Sequence, residues 1–248
     1  MTRVPFPRPV RPLAALLLAV SLSACASDGL KNTYPQKVAV GEQLVQSGEF
    51  DKGYRVLDNV ARTNEGSAAA QLKLADSYYR QGAYLKAETH YRRLVELGKP
   101  VAGHVGLGRV ALKENDPEAA LAAFRAAHEL DPAAATALNG IGVAHDLMGD
   151  HVNAQANYEA VLEAHPTHAG ALSNMALSLA LSGRPSDAKR IYARLVPSYR
   201  DNEVMRHNLA LTRALEGDET DAVAITGGDL EEAALESNLA SLRRLRGR

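Results

Sequence analysis

Residues Ala135–His168 read ATALNGIGVAHDLMGDHVNAQANYEAVLEAHPTH, and the fold can be worked outward from them. Two apolar-periodic helical patterns flank a turn at Met148-Gly149-Asp150. Counting Ala135 as position 1 puts Ile141 at position 7, Gly142 at 8, Gly149 at 15, Ala154 at 20, Tyr158 at 24 and Pro166 at 32. Small residues at 8 and 20 allow two helices to cross closely. Gly149 permits the left-handed backbone on which a helix ends. Pro166 stops the second helix, because it lacks an N–H and its ring clashes with the preceding turn.

The same columns recur along the chain. Position 15 is Gly48, Gly82, Asn115, Gly149, Gly183 and Gly217, spaced by 34 residues except for one interval of 33. Position 8 is Gly41, Ala75, Gly108, Gly142, Ala176 and Ala210, and position 20 is Gly53, Ala87, Ala120, Ala154, Ala188 and Ala222. Position 7 is always a large aliphatic: Val40, Leu74, Leu107, Ile141, Met175, Leu209. Position 24 is Leu57, Tyr91, Phe124, Tyr158, Tyr192 and finally Thr226. Residues at 7 and 24 are expected to fill the space between paired helices. Several small and large columns in one frame do not arise from an Ala-rich composition alone.

This column set resembles the tetratricopeptide repeat, whose period is about 34 residues. It implies an all-α fold, a superhelical solenoid in which each helix pair packs on its neighbours. Repeats are expected at 34–67, 68–100, 101–134, 135–168, 169–202 and 203–228, about six in all, the first and last degenerate. Position 27 holds Leu94, Ala127, Val161 and Leu195 where the repeat usually has Ala, which predicts looser or shifted packing between repeats. Asp116-Pro117-Glu118 reads as a helix start, with Asp as N-cap and Pro in the first turn. Residues 229–248 read as a C-terminal capping helix. Leu235, Leu239 and Leu242 line one face, and Arg243, Arg244, Arg246 and Arg248 oppose the helix dipole at its end.

The composition fits helix: 46% hydrophobic residues and 5% aromatic. A formal net charge of -1 gives no global basic field, so nucleic acid is not an expected partner. Residues 1–24 carry Arg3, Arg8 and Arg11 ahead of the apolar run Leu13–Val20, the arrangement of a secretory signal and too short for a comfortable membrane span. The following Leu22-Ser23-Ala24-Cys25 resembles the lipobox of bacterial lipoproteins. The resemblance implies cleavage before Cys25, lipidation of its thiol and anchoring by several acyl chains. Cys25 is the single Cys of the chain, and an exported protein with one unpaired thiol calls for such an explanation. Ala26 and Ser27 follow Cys25 without an Asp, which by resemblance to Gram-negative sorting implies an outer-membrane location facing the periplasm. Residues 25–33 form the lipidated N-terminus and a short tether.

Little in the chain suggests catalysis. Gly106-Leu107-Gly108-Arg109-Val110-Ala111 matches a G-x-G-x-x-A dinucleotide fingerprint, but within an expected helix and after no strand, where Gly108 is already the small residue of position 8. His165 and His168 have half a metal site's spacing without an acid or Cys nearby, and His145 is expected to pack at a helix interface. There is no H-E-x-x-H, G-x-S-x-G or P-loop. No enzyme, cofactor or metal is expected.

The surface left for function is the concave groove of the first helices, lined by positions 2, 5, 9, 12 and 13. These select Leu72, Asp76, Tyr79 and Arg80, then Val105, Arg109, Leu112 and Lys113. Asn139, Val143, Asp146 and Leu147 follow, then Ser173, Leu177 and Leu181, and last His207 and Leu211. A basic and aromatic beginning passes into an apolar end, which suits an extended peptide or an amphipathic helix. The same leucines could instead be core between repeats.

The strings Ala137–Ala144 (ALNGIGVA), Leu172–Arg184 (LSNMALSLALSGR) and His207–Leu211 (HNLAL), with Asn238-Leu239-x-x-Leu242-Arg243 near the end, resemble the TadD-type lipoproteins of Flp pilus (tight-adherence) assembly. The resemblance implies a non-enzymatic adaptor at the outer membrane that helps assemble or localise secretin and pilus components. Pilotins and other repeat lipoproteins of type IV pilus or secretion systems share the architecture and stand as the alternative.

Overall fold

The computed structural model describes residues 33–195 and 203–215, together with Gly217, Ala222, Ala224 and Ile225. The signal sequence, Cys25 and the expected C-terminal capping helix lie outside the described residues.

Among the described residues the chain is helical, without strands. The elements are α1 (Tyr34–Gln46), α2 (Phe50–Thr63), α3 (Ala68–Arg80), α4 (Tyr84–Glu96), α5 (Pro100–Lys113) and α6 (Pro117–Leu130). They continue as α7 (Ala135–Leu147), α8 (His151–Ala164), α9 (Ala169–Leu181), α10 (Pro185–Leu195) and α11 (Glu203–Leu215). Odd-numbered helices are the first of each pair. From α1 to α9 each packs on the even-numbered helix of its own pair and on its odd-numbered neighbours, the stacking of a solenoid.

The turn column explains how the hairpins close. Gly48, Gly82, Gly149, Gly183 and Gly217 have φ between 74° and 91°, and Asn115 has φ 59°. The N–H three residues past α1, α3, α5, α7 and α9 then reaches back to an orphan carbonyl, as in Ala83 N to Tyr78 O at 2.9 Å and Arg184 N to Leu179 O at 2.8 Å. Gly98, with φ 74°, makes the tighter connection of the 33-residue repeat. Asp116 caps α6 as expected, its Oδ1 accepting from Ala119 N at 2.9 Å.

Packing follows the columns closely. Position 20 is buried from Gly53 to Ala222, and position 8 from Gly41 to Ala210. Aromatic rings at position 24 sit against glycines, and Phe124 meets glycines from two repeats. A Cβ built on Gly108, in the same repeat, would lie 2.8 Å from the Phe124 ring; one on Gly140, in the next, would lie 2.6 Å from it. Gly106 stands in the same relation to Tyr91, at 2.1 Å, and Gly142 to Tyr158, at 2.4 Å. Phe124 therefore occupies a hollow left by absent side chains at both positions, whereas Tyr91 has one only at position 6 of the next repeat and Tyr158 only at position 8 of its own.

Two expectations are corrected. Val40 does not fill a gap between paired helices but is 51% exposed, whereas Leu74, Ile141, Met175 and Leu209 are buried. In α1 the buried residues are Val38, Gly41 and Val45. Val40, Gln36 and Gln43 are exposed on the side where every other first helix meets a preceding repeat. The described solenoid begins there, with a largely polar end. Position 27 is not loose either: Val60, Leu94, Ala127 and Val161 are all at most 1% exposed. The slack lies between the first two repeats, where α2 leans on α3 far less than α4 leans on α5.

Candidate functional site

The first helices present their groove-facing residues in two chemically distinct halves. In the first half Asp76 is the centre. It accepts the Tyr91 hydroxyl at 2.7 Å and Arg109 Nη1 at 3.2 Å, so one carboxylate joins α3, α4 and α5. The Arg109 guanidinium lies 4.2 Å from the centroid of the Tyr79 ring, a stacked arrangement that holds its fork in place. Burial, then the bond to Asp76, pushes the Tyr91 hydroxyl well above the usual tyrosine range, so it remains a donor. Arg80 is exposed and pairs with Glu42 of α1.

A concave cavity of about 620 Å³ opens beside this cluster. Leu72, Asp76, Val105 and Arg109, all selected from the sequence, share its walls with Lys99 and Thr136. Leu72 is 38% exposed, whereas Val105 and Leu112 are half-buried against the core of Phe124 and Ile141. Lys113 is exposed.

The second half is amide and aliphatic. Asn174 Nδ2 donates to Asn139 Oδ1 at 3.2 Å, and Asn208 Nδ2 reaches Ser173 Oγ at 2.9 Å and Asn174 Oδ1 at 3.4 Å. These side chains make a ladder across α7, α9 and α11, one rung per repeat. Asp146 is a hub: it accepts from Tyr158 at 2.9 Å and Ser178 at 2.6 Å, with His151 Nδ1 at 2.8 Å. Val143, Leu147 and Leu177 border a smaller dip of about 100 Å³ next to Tyr158.

Three residues selected for the groove do not face outward. Ser173 is 1%, Leu181 3% and Leu211 8% exposed. Leu211 packs with Ala210, Ala214 and Ala222, and Leu177 lies partly buried against the same cluster. The helices close up here because α9 and α11 carry Ala and Leu where α3 and α5 carry long charged residues. His207 lies in α11, but its side chain is outside the described residues. The sequence reading missed Asn174, Asn208 and Lys99. The first two recur at position 6, immediately beside the column taken as groove, and their 34-residue spacing was a readable signal.

The other sequence candidates have structural roles. Gly106 and Gly108 of the apparent dinucleotide fingerprint sit mid-helix in α5 as ring seats. His168 caps α9, its Nδ1 accepting from Ala171 N at 3.0 Å. His145 is buried, with Nδ1 3.2 Å from Asp150 Oδ2 but outside hydrogen-bond geometry. Among the described residues no cluster of three His, Cys, Asp or Glu could hold a metal, and no helix is long and apolar enough to cross a membrane.

No curated protein matches the chain in sequence. Solved structures resemble it in fold. PilW, a type IV pilus biogenesis factor, aligns with TM-score 0.59 at 17% identity over 86% of this chain and 97% of PilW. A repeat protein of Parabacteroides merdae aligns with TM-score 0.58 at 17% identity over 77% of each chain. Pseudomonas aeruginosa PilF aligns with TM-score 0.55 at 16% identity over 77% of this chain and 88% of PilF. At such identities the likeness speaks to architecture. Family models described as tetratricopeptide repeat match residues 41–102 and 105–154 and, separately, 147–215, together more than half of the sequence. The chain belongs to the tetratricopeptide-repeat proteins.

Proposed function

We propose that the protein is a non-enzymatic adaptor, lipid-anchored through Cys25 at the periplasmic face of the outer membrane. Its concave groove would hold a polypeptide of the Flp/Tad pilus machinery. The observation that carries the binding role is the pairing of an amide ladder with a pre-organised guanidinium along one face. Asn139, Asn174 and Asn208 can each offer an extended main chain bonds beyond those they make to one another. Arg109, stacked on Tyr79 and bonded once to Asp76, has N–H groups left to donate. The cavity beside it accepts an apolar side chain against Leu72 and Val105. The resemblance to TadD-type sequences and to the lipobox supports the rest of the reading.

Arg109→Glu with Lys113→Glu is expected to abolish Flp pilus export while circular dichroism and membrane fractionation stay unchanged. Normal export from a folded, correctly located double variant would remove the groove from the account. A second reading, a component of a type IV pilus, is favoured by the fold shared with PilW and PilF. Deleting the gene and scoring both pilus types by electron microscopy separates the two.

A further inference from the structure

A second cleft lies away from the groove. It holds about 770 Å³ between the second helices α2 and α4, with Gln71 of α3 in its lining. It exists because α2 stands off α3. Leu57 is the one described occupant of position 24 that is not aromatic, so the first repeat carries no ring there.

The lining is built rather than incidental. Gln71 is 2% exposed and donates Nε2 to Asn64 O at 3.1 Å, which turns its Oε1 toward His90 Nδ1 at 2.7 Å. That oxygen can only accept, so Nδ1 of His90 carries the proton and Nε2 of the neutral ring is an acceptor. The ring is held flat against Tyr78, centroids 5.3 Å apart and planes at 4°, and Tyr78 stacks in turn on Tyr54. Nε2 makes no hydrogen bond among the described residues.

The charged groups differ in how far they are already satisfied. Asp58 accepts from Tyr78 at 2.6 Å and from Lys86 at 2.9 Å on each oxygen, and Glu96 pairs with Arg93 at 2.6 Å. Arg93 also spans the cleft's end, its Nε donating to Glu65 O at 3.3 Å. Arg62 bonds only the neutral Asn59, at 2.8 Å, among the described residues. What remains is the Arg62 fork, the unused amino group of Arg93 and one imidazole acceptor.

We propose that this cleft is a second docking site, for a segment of a partner protein that presents one carboxylate with an adjacent N–H. The carboxylate is taken by Arg62 and Arg93 and the N–H by His90 Nε2. A polyanion suits it poorly, because Glu65 stands in the lining without a side-chain partner among the described residues and Nε2 repels a bare anion. The inference does not rest on the groove.

The test is NMR titration of the ¹⁵N-labelled full chain with acetyl-Ala-Glu-Ala-amide, whose blocked ends leave one carboxylate, and with its Gln counterpart. Amide shifts are expected to centre on Arg62, Thr89 and His90. The Gln peptide, Arg62→Glu and His90→Phe, which keeps the ring stack, should each weaken them at least about fivefold, and Arg109→Glu should leave them unchanged. Absent shifts, shifts centred on Lys99 and Arg109, or equal shifts with inorganic phosphate would overturn the proposal.

Discussion

A β-carbon at Gly106 would stand 2.1 Å from the Tyr91 ring, inside any tolerable contact. Ala is ordinarily the better helix residue by about 1 kcal/mol. Here overpacking of about 1–3 kcal/mol should outweigh that gain, so Gly106→Ala is expected to lower the melting temperature. Gly66→Ala makes the control. Its Cβ would meet nothing within 4 Å, and the substitution should be neutral or slightly stabilising. Equal effects at the two positions would mean that Tyr91 is not seated as described. His90 gives a pH dependence with a definite sign. Burial is the largest influence and lowers its pKa, aided by Lys86 and opposed by Asp58. A histidine whose pKa is lower in the folded state binds protons more readily when unfolded. Stability is therefore full above the ordinary value of 6.5 and falls as pH drops through and below it. The Asp58 carboxyl is raised by burial but lowered more by its bonds to Lys86 and Tyr78, so its net shift is downward and its contribution is lost only in stronger acid. His90→Phe should flatten the melting-temperature profile between pH 7 and pH 5, and an unchanged slope would assign that dependence elsewhere.

Helices were legible from the sequence almost residue by residue, because their boundaries are local chemistry. Asp116-Pro117 starts α6, Pro166 follows α8, and the Gly and Asn column closes every described hairpin. The faces of the helices were less legible, because exposure depends on the neighbour. Val40 obeys its column yet lies open, since the described solenoid has no repeat before it. Ser173, Leu181 and Leu211 occupy groove positions but are buried where smaller residues let the helices close up. The junction between the first two repeats has its own consequence. Because α1 and α2 pack well on each other and α2 leans weakly on α3, they should open together as a unit. Hydrogen exchange is expected to be faster across residues 34–63 than across 100–164. Uniform protection along the described helices would contradict this.

At the scale of the whole molecule, order along the solenoid matters as well as repeat number. Repeats 3 and 4 carry Gly106 and Gly140 at position 6, whereas repeats 5 and 6 carry Asn174 and Asn208 there. Deleting residues 101–134 leaves Tyr91 to meet Gly140, a hollow of the kind it already occupies. Deleting 135–168 sets Phe124, natively seated on Gly140, against the bulkier Asn174 and removes Asn139, the acceptor of the Asn174 amide N–H. The first deletion is expected to give a folded protein with cooperative thermal unfolding, and the second a lower melting temperature. The reverse ranking would show that repeats pack by size alone. The amide ladder has a mechanical consequence. Asn139, Asn174 and Asn208 bond in sequence along the inner side of the coil, so pulling the ends apart must lengthen those contacts before any helix unwinds. A load applied along the axis would stretch these rungs, and the Arg109–Asp76 tie between α5 and α3, ahead of the bonds inside any helix.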